Sequence, residues 1–143
     1  MPTQPPIDEL PLLIADLYEA AGAVRRHGDE IASMAGQTQA RWQVLSVLSD
    51  GNWTVPRAAR RLGVSRQAVQ RTADLLRADG LVEIEHNPDH QRSSLVRLTA
   101  SGRDTLTAIT AEGQRWNAQA ASRIDAHDLA TTRSVLRTLI DTP

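Results

Sequence analysis

Hydrophobic positions recur near the start of the chain at alternating steps of four and three: Leu10, Ile14, Leu17, Ala21, Val24, Gly28 and Ile31. This spacing puts them on one face of a helix over Ile7 to Ile31, and that face needs cover, from the core of the same chain or from a second subunit. Gly28 is the expected site of a kink or an early end, because an interior glycine costs a helix about 1 kcal/mol relative to alanine. Gly36 suits a left-handed cap. Thr38 suits the N-cap of a second helix reaching about Ser49, with Trp42, Leu45 and Leu48 on one face.

The pattern then shortens. Asp50, Gly51 and Asn52 predict a turn, and Thr54 caps a third helix over Val55 to Leu62, with Pro56 in the first turn where a missing amide does no harm. Gly63 stops that helix. Ser65 caps a fourth helix from Arg66 to about Ala78, which Gly80 closes. Beyond it, Val82, Ile84 and His86 alternate with Glu83 and Glu85, as in a strand with one buried face. A second strand is expected over Ser94 to Thr99, with Val96 and Leu98 inward and the loop from Asn87 to Ser93 between the two. Arg97 falls on the face of Glu83 and Glu85, which predicts a cross-strand ion pair. Thr99 caps a fifth helix running past Trp116. Asp125 opens a sixth that carries Leu129, Thr132, Leu136, Leu139 and Ile140 on one stripe. The predicted fold is mainly α with a small β-hairpin, in a single domain over residues 1–143.

The third and fourth helices carry the most specific pattern. Joined at Leu62-Gly63-Val64-Ser65, they can cross steeply only if the crossing residues are small, and Ala58, Ala59, Gly63 and Ala68 meet that condition, as in a helix-turn-helix. Ala68, Val69, Thr72, Leu75 and Leu76 form the expected inward stripe of the fourth helix. Arg66, Gln67, Gln70, Arg71 and Asp74 share the opposite face. Arginine can fork onto guanine O6 and N7, and glutamine onto adenine N6 and N7, so this face has the chemistry to read bases in a major groove. Ser65, with the helix N-terminus behind it, is suited to phosphate, and Thr54 is placed with the same set of DNA-binding residues. Arg92, near the hairpin tip, is a candidate for the minor groove. Arg57, Arg60 and Arg61 divide between phosphate contacts and plain surface.

Charge strengthens this reading. The net charge is −1, yet Thr54 to Arg103 holds nine arginines against five acids, while the rest has seven against twelve. A basic segment in an otherwise acidic chain is the electrostatic footprint of a phosphate-binding surface. The absence of cysteine excludes disulfides and thiol chemistry. No apolar run is long enough to span a bilayer and no signal peptide is evident, so a cytoplasmic location without membrane association is expected. His27, His86, His90 and His127 do not share a helix face, and neither a metal site nor any cofactor is expected. No nucleophile–base pair, paired carboxylates or phosphate-binding glycine loop points to an enzyme.

Four runs carry a resemblance: Gly36-Gln-Thr-Gln-Ala-Arg-Trp-Gln-Val-Leu45; Arg61-Leu-Gly-Val-Ser-Arg-Gln-Ala-Val-Gln-Arg71 with Gly80-Leu-Val-Glu83; Asn87-Pro-Asp-His-Gln-Arg-Ser93; and Leu95-Val-Arg-Leu-Thr-Ala-Ser-Gly102. Together they resemble the MarR family of bacterial winged helix-turn-helix transcriptional regulators. The resemblance implies dimerisation helices at residues 1–37 and 100–143 and a winged-helix DNA-binding part at 38–99. It also implies a homodimer on a pseudo-palindromic double-stranded operator, usually as a repressor relieved by a small ligand. Tyr18, Trp42 and Trp116 are candidates to line a pocket for a small aromatic or phenolic effector, or to serve simply as core in a chain without phenylalanine. Where the family's wing often carries Asp-x-Arg, its Arg aligns with Arg92 but its Asp with His90, next to Asp89. An architectural or protein-binding winged helix without an effector is the alternative, and salt-dependent DNA affinity separates the two.

Overall fold

The computed structural model describes residues 3, 6–89 and 93–143, and contacts divide it into two units, Met1–Ile109 and Thr110–Pro143. In the first unit, α1 (Glu9–Ser33) precedes α2 (Gln39–Val47). The helical pattern predicted to about Ser49 ends earlier as α and tightens into a 3₁₀ turn at Leu48–Asp50. Thr38 caps α2 as expected, its hydroxyl accepting from the Arg41 amide at 3.2 Å. Asp29 of α1 adds a second cap by accepting from the Gln39 amide at 2.8 Å. Gly28 does not end α1, which continues to Ser33. The glycine is buried inside the helix, and a Cβ there would collide with the Gln39 side chain, so the crossing of α1 and α2 selects glycine for space.

Next come β1 (Trp53–Thr54), α3 (Val55–Leu62) and α4 (Arg66–Ala78), followed by β2 (Val82–Glu85) and β3 (Leu95–Leu98). The expected hairpin is two-thirds of an antiparallel sheet ordered β1-β3-β2, in which Trp53 pairs with Val96 and Ile84 with Val96 from the other side. A two-residue strand is too short to show a period in sequence; β1 exists because β3 has a free edge beside it. β2 also stops short of His86, which is exposed rather than inward; Asn87 is buried instead and accepts from the Asp89 amide at 3.0 Å.

The core of this unit centres on Leu45, Leu48, Leu76 and Ile109, with Ala58, Ala59 and Ala73 where helices approach. The inward stripe predicted for α4 needs correction at two positions. Leu76 is fully buried but Leu75 is 50% exposed, and Ala73, omitted from the stripe, is 1% exposed. At 100° per residue Val69, Thr72, Ala73 and Leu76 straddle one line, and Leu75 falls about 120° from Val69.

Thr99 accepts from the Gly102 amide at 3.0 Å, capping α5 (Ala100–Ala121), and its hydroxyl donates to the Gly80 carbonyl at 2.7 Å. The second unit begins within α5 and contains α6 (Ala126–Asp141), whose cap Asp125 accepts from the His127 and Asp128 amides. Among the described residues no helix is long and apolar enough to cross a membrane.

Candidate nucleic-acid interface

Local capping sets the geometry of the α3–α4 pair. Thr54 accepts from the Arg57 amide at 3.3 Å and Ser65 from the Ala68 amide at 3.1 Å, so both hydroxyls occupy helix N-termini as predicted. Between the helices Gly63 adopts φ 67° and ψ 31°, a left-handed turn that a side chain would strain, and the Val64 amide returns to the Ala59 carbonyl at 3.1 Å. Ala58 and Ala59 are buried at the crossing. The angle between the helices therefore follows from small residues and one turn.

This packing exposes Arg66, Gln67, Gln70, Arg71 and Asp74 along α4. Arg66, Gln67 and Gln70 line an open groove of about 430 Å³, with Val55 and Pro56 on one wall and Ile84, Ser93, Ser94 and Val96 of the sheet side on the other. Arg71 is exposed but does not line it. Ser93, predicted as the end of the loop, and Ser94, predicted as the start of the second strand, both precede β3, and they reach the groove because β3 pairs antiparallel to β2. Arg92, predicted at the wing tip, lies outside the described residues, as does His90.

Electrostatics separates the arginines into two groups. Among the described residues, Arg57, Arg60, Arg61, Arg66 and Arg71 form no ion pair with a carboxylate. Arg97 is neutralised: it lies 3.0 Å from Glu83 and also pairs with Glu85, as the alternation of the strands predicted. Arg57 stacks on Trp53, 3.9 Å from the ring centroid, while the Trp53 indole N–H donates to Asp50 at 2.8 Å. The stack holds a guanidinium at the start of α3, a relationship that sequence spacing alone did not suggest. On α4 the Gln70 amide nitrogen donates to Asp74 at 2.9 Å. Among the described residues no group of three or more His, Asp or Glu side chains could hold a metal ion.

Tyr18 is 77% exposed and Trp42 is packed partly against the core of the first unit, while Trp116 belongs to the second unit.

A family model described as MarR family matches residues 35–93, which contain α2, α3, α4, β1 and β2. An uncharacterised protein of Mycobacterium tuberculosis is 51% identical over 133 residues, covering 93% of each chain. The fold is similar to a crystal structure of a mutant MarR from Escherichia coli complexed with operator DNA, with TM-score 0.83, 24% identity and coverage of 95% of this chain and 99% of that one. It is also similar to the M. tuberculosis transcriptional regulator MosR in complex with DNA, with TM-score 0.75, 25% identity and coverage of 88% and 91%.

Proposed function

The chain belongs to the MarR family of transcriptional regulators, and on that premise we propose that it is a homodimeric repressor reading a pseudo-palindromic operator with α4. The observation that carries the reading is the exposed face of α4, where Arg66, Gln67, Gln70 and Arg71 stand clear of the core and the arginines keep their charge unpaired. In this role Arg66, Gln67, Gln70 and Arg71 meet base edges or adjacent phosphates, while Thr54, Ser65 and the helix N-termini behind them hold the backbone. Arg92 is assigned to the minor groove. Arg57, held on Trp53, adds a phosphate contact. The structures of the E. coli and M. tuberculosis relatives were solved with DNA, which supports the same kind of partner here.

Dimerisation is assigned to residues 1–37 and 100–143. On α1, Leu10, Leu12, Ile14, Leu17 and Val24 are each at least 38% exposed, and on α6 Leu129 and Ile140 are 45% and 68% exposed. Apolar side chains this numerous at helical spacing are what a second subunit would cover. Release of the repressor by a small aromatic or phenolic effector is proposed on the family likeness.

The deciding experiment measures affinity of the full-length protein for duplexes selected from a randomised pool, across a salt series. Sequence preference with a steep negative salt slope is expected, together with loss of preference in Gln67→Ala and Arg71→Ala. Salt-insensitive binding, or variants with unchanged preference, would reject the reading. Sedimentation showing a monomer at micromolar concentration would remove the two-half-site arrangement.

A further inference from the structure

We propose that Asp74 is a specificity-determining residue of the DNA-reading face, acting by orienting the Gln70 amide so that this pair selects a base that donates a hydrogen bond, adenine first. The inference rests on the assignment of α4 to the major groove. Gln70 and Asp74 are four residues apart on α4, both exposed, with the Gln70 nitrogen donating to Asp74 Oδ1 at 2.9 Å. A carboxylate at neutral pH has no proton to offer, so the side of the amide facing it must be the NH₂ group. The amide oxygen is thereby turned away from Asp74, and one N–H remains unused.

An outward oxygen beside a free N–H matches adenine, whose N6 donates and N7 accepts in the major groove; cytosine N4 satisfies the oxygen alone. Guanine presents O6 and N7, both acceptors, and thymine presents O4. Each of these can accept from the one free N–H but offers the amide oxygen no donor, and an acceptor placed beside that oxygen or the Asp74 carboxylate meets it lone pair against lone pair. Among the described residues Asp74 takes part in no ion pair, so it does not serve to neutralise a neighbouring arginine. A carboxylate on a face that approaches phosphate opposes every duplex, and such a group is useful only if it opposes the wrong ones more.

The test selects duplexes from a randomised pool with full-length wild type, Asp74→Ala, Asp74→Asn and Gln70→Ala, then measures affinity for the selected duplex and for an unrelated one. Wild type is expected to prefer adenine at one position of each half-site by roughly 5- to 100-fold. Asp74→Ala should flatten the same position that Gln70→Ala flattens, while binding the unrelated duplex more tightly than wild type does, most visibly at low salt. Asp74→Asn can offer Gln70 either an acceptor or a donor, so it no longer fixes the amide and should show a preference between those of wild type and Asp74→Ala. The Gln70→Ala/Asp74→Ala double variant should lose no further selectivity. A purely structural role for Asp74 predicts weaker binding to all duplexes alike, and that result overturns the inference. So does an unchanged base profile in Asp74→Ala, or a loss at a position that Gln70→Ala does not affect. If wild type itself selects no sequence, the assignment of α4 to DNA falls as well.

Discussion

Arg41 Nη1 lies 2.8 Å from Asp79 Oδ2, tying the first turn of α2 to the residue that ends α4. The same guanidinium donates to Gln37 at 3.1 Å, and its side chain is only 17% exposed against 51% for Asp79. An arginine this buried contributes through its apolar stem as well as its charge, whereas an exposed pair alone contributes little. Arg41→Ala should therefore lower unfolding free energy by about 1–2 kcal/mol and Asp79→Ala by less than about 1 kcal/mol. Urea denaturation at fixed protein concentration, run as a double-mutant cycle, would show a coupling of several tenths of a kcal/mol. Coupling indistinguishable from zero would mean that the pair does not anchor α4.

Leu75 and Leu76 are adjacent in sequence and opposite in consequence. Leu76→Ala removes a fully buried side chain from the centre of the first unit and should cost about 2–5 kcal/mol. Leu75→Ala removes a half-exposed one and should change stability by under about 1 kcal/mol. Equal losses in chemical denaturation would return Leu75 to the core.

Gly102→Ala ought to stabilise a helix by up to about 1 kcal/mol on propensity alone. Here the sign reverses. A Cβ at Gly102 would run into the Leu81 carbonyl, which is backbone and already accepts from the Thr99 amide at 3.1 Å. Displacing it disturbs the cap of α5 and the entry to β2 together, so a net loss of about 2 kcal/mol or more is expected. A thermal midpoint equal to or above that of wild type would contradict this.

Arg97 stands directly across from Glu83 and diagonal to Glu85. Arg97→Met leaves two carboxylates on one face of the sheet with no counter-charge, and all three side chains are about half exposed. The expected loss is about 1 kcal/mol at low ionic strength, shrinking as salt screens the repulsion. Converting both acids as well, in Glu83→Gln/Glu85→Gln/Arg97→Met, should recover most of it. Thermal shifts at low and high salt check this; a loss independent of salt would point to packing rather than charge.

Caps, left-handed glycines and the bounds of α3 and α4 were legible in the residues because each depends on chemistry within a few positions. Thr54 and Ser65 cap the helices that follow them, and Gly63 turns the chain between, wherever the rest of the molecule lies. The pairing of Arg97 with Glu83 and Glu85 was equally readable, since alternation in two strands leaves only the register to be settled. Features that depend on what packs alongside were not. β1 forms because β3 offers an edge, Gly28 is small because Gln39 crosses it, and the Trp53–Arg57 stack is set by the turn from sheet to helix. Leu75 and Ala73 share the composition of a buried stripe; which of them is buried was decided by the direction from which the core approaches α4. The base-reading face was likewise visible as a row of polar residues. The groove beside it, with Ser93 and Ser94 on its far wall, came only from the folded sheet, because no local rule brings residues more than twenty positions apart to the same cleft.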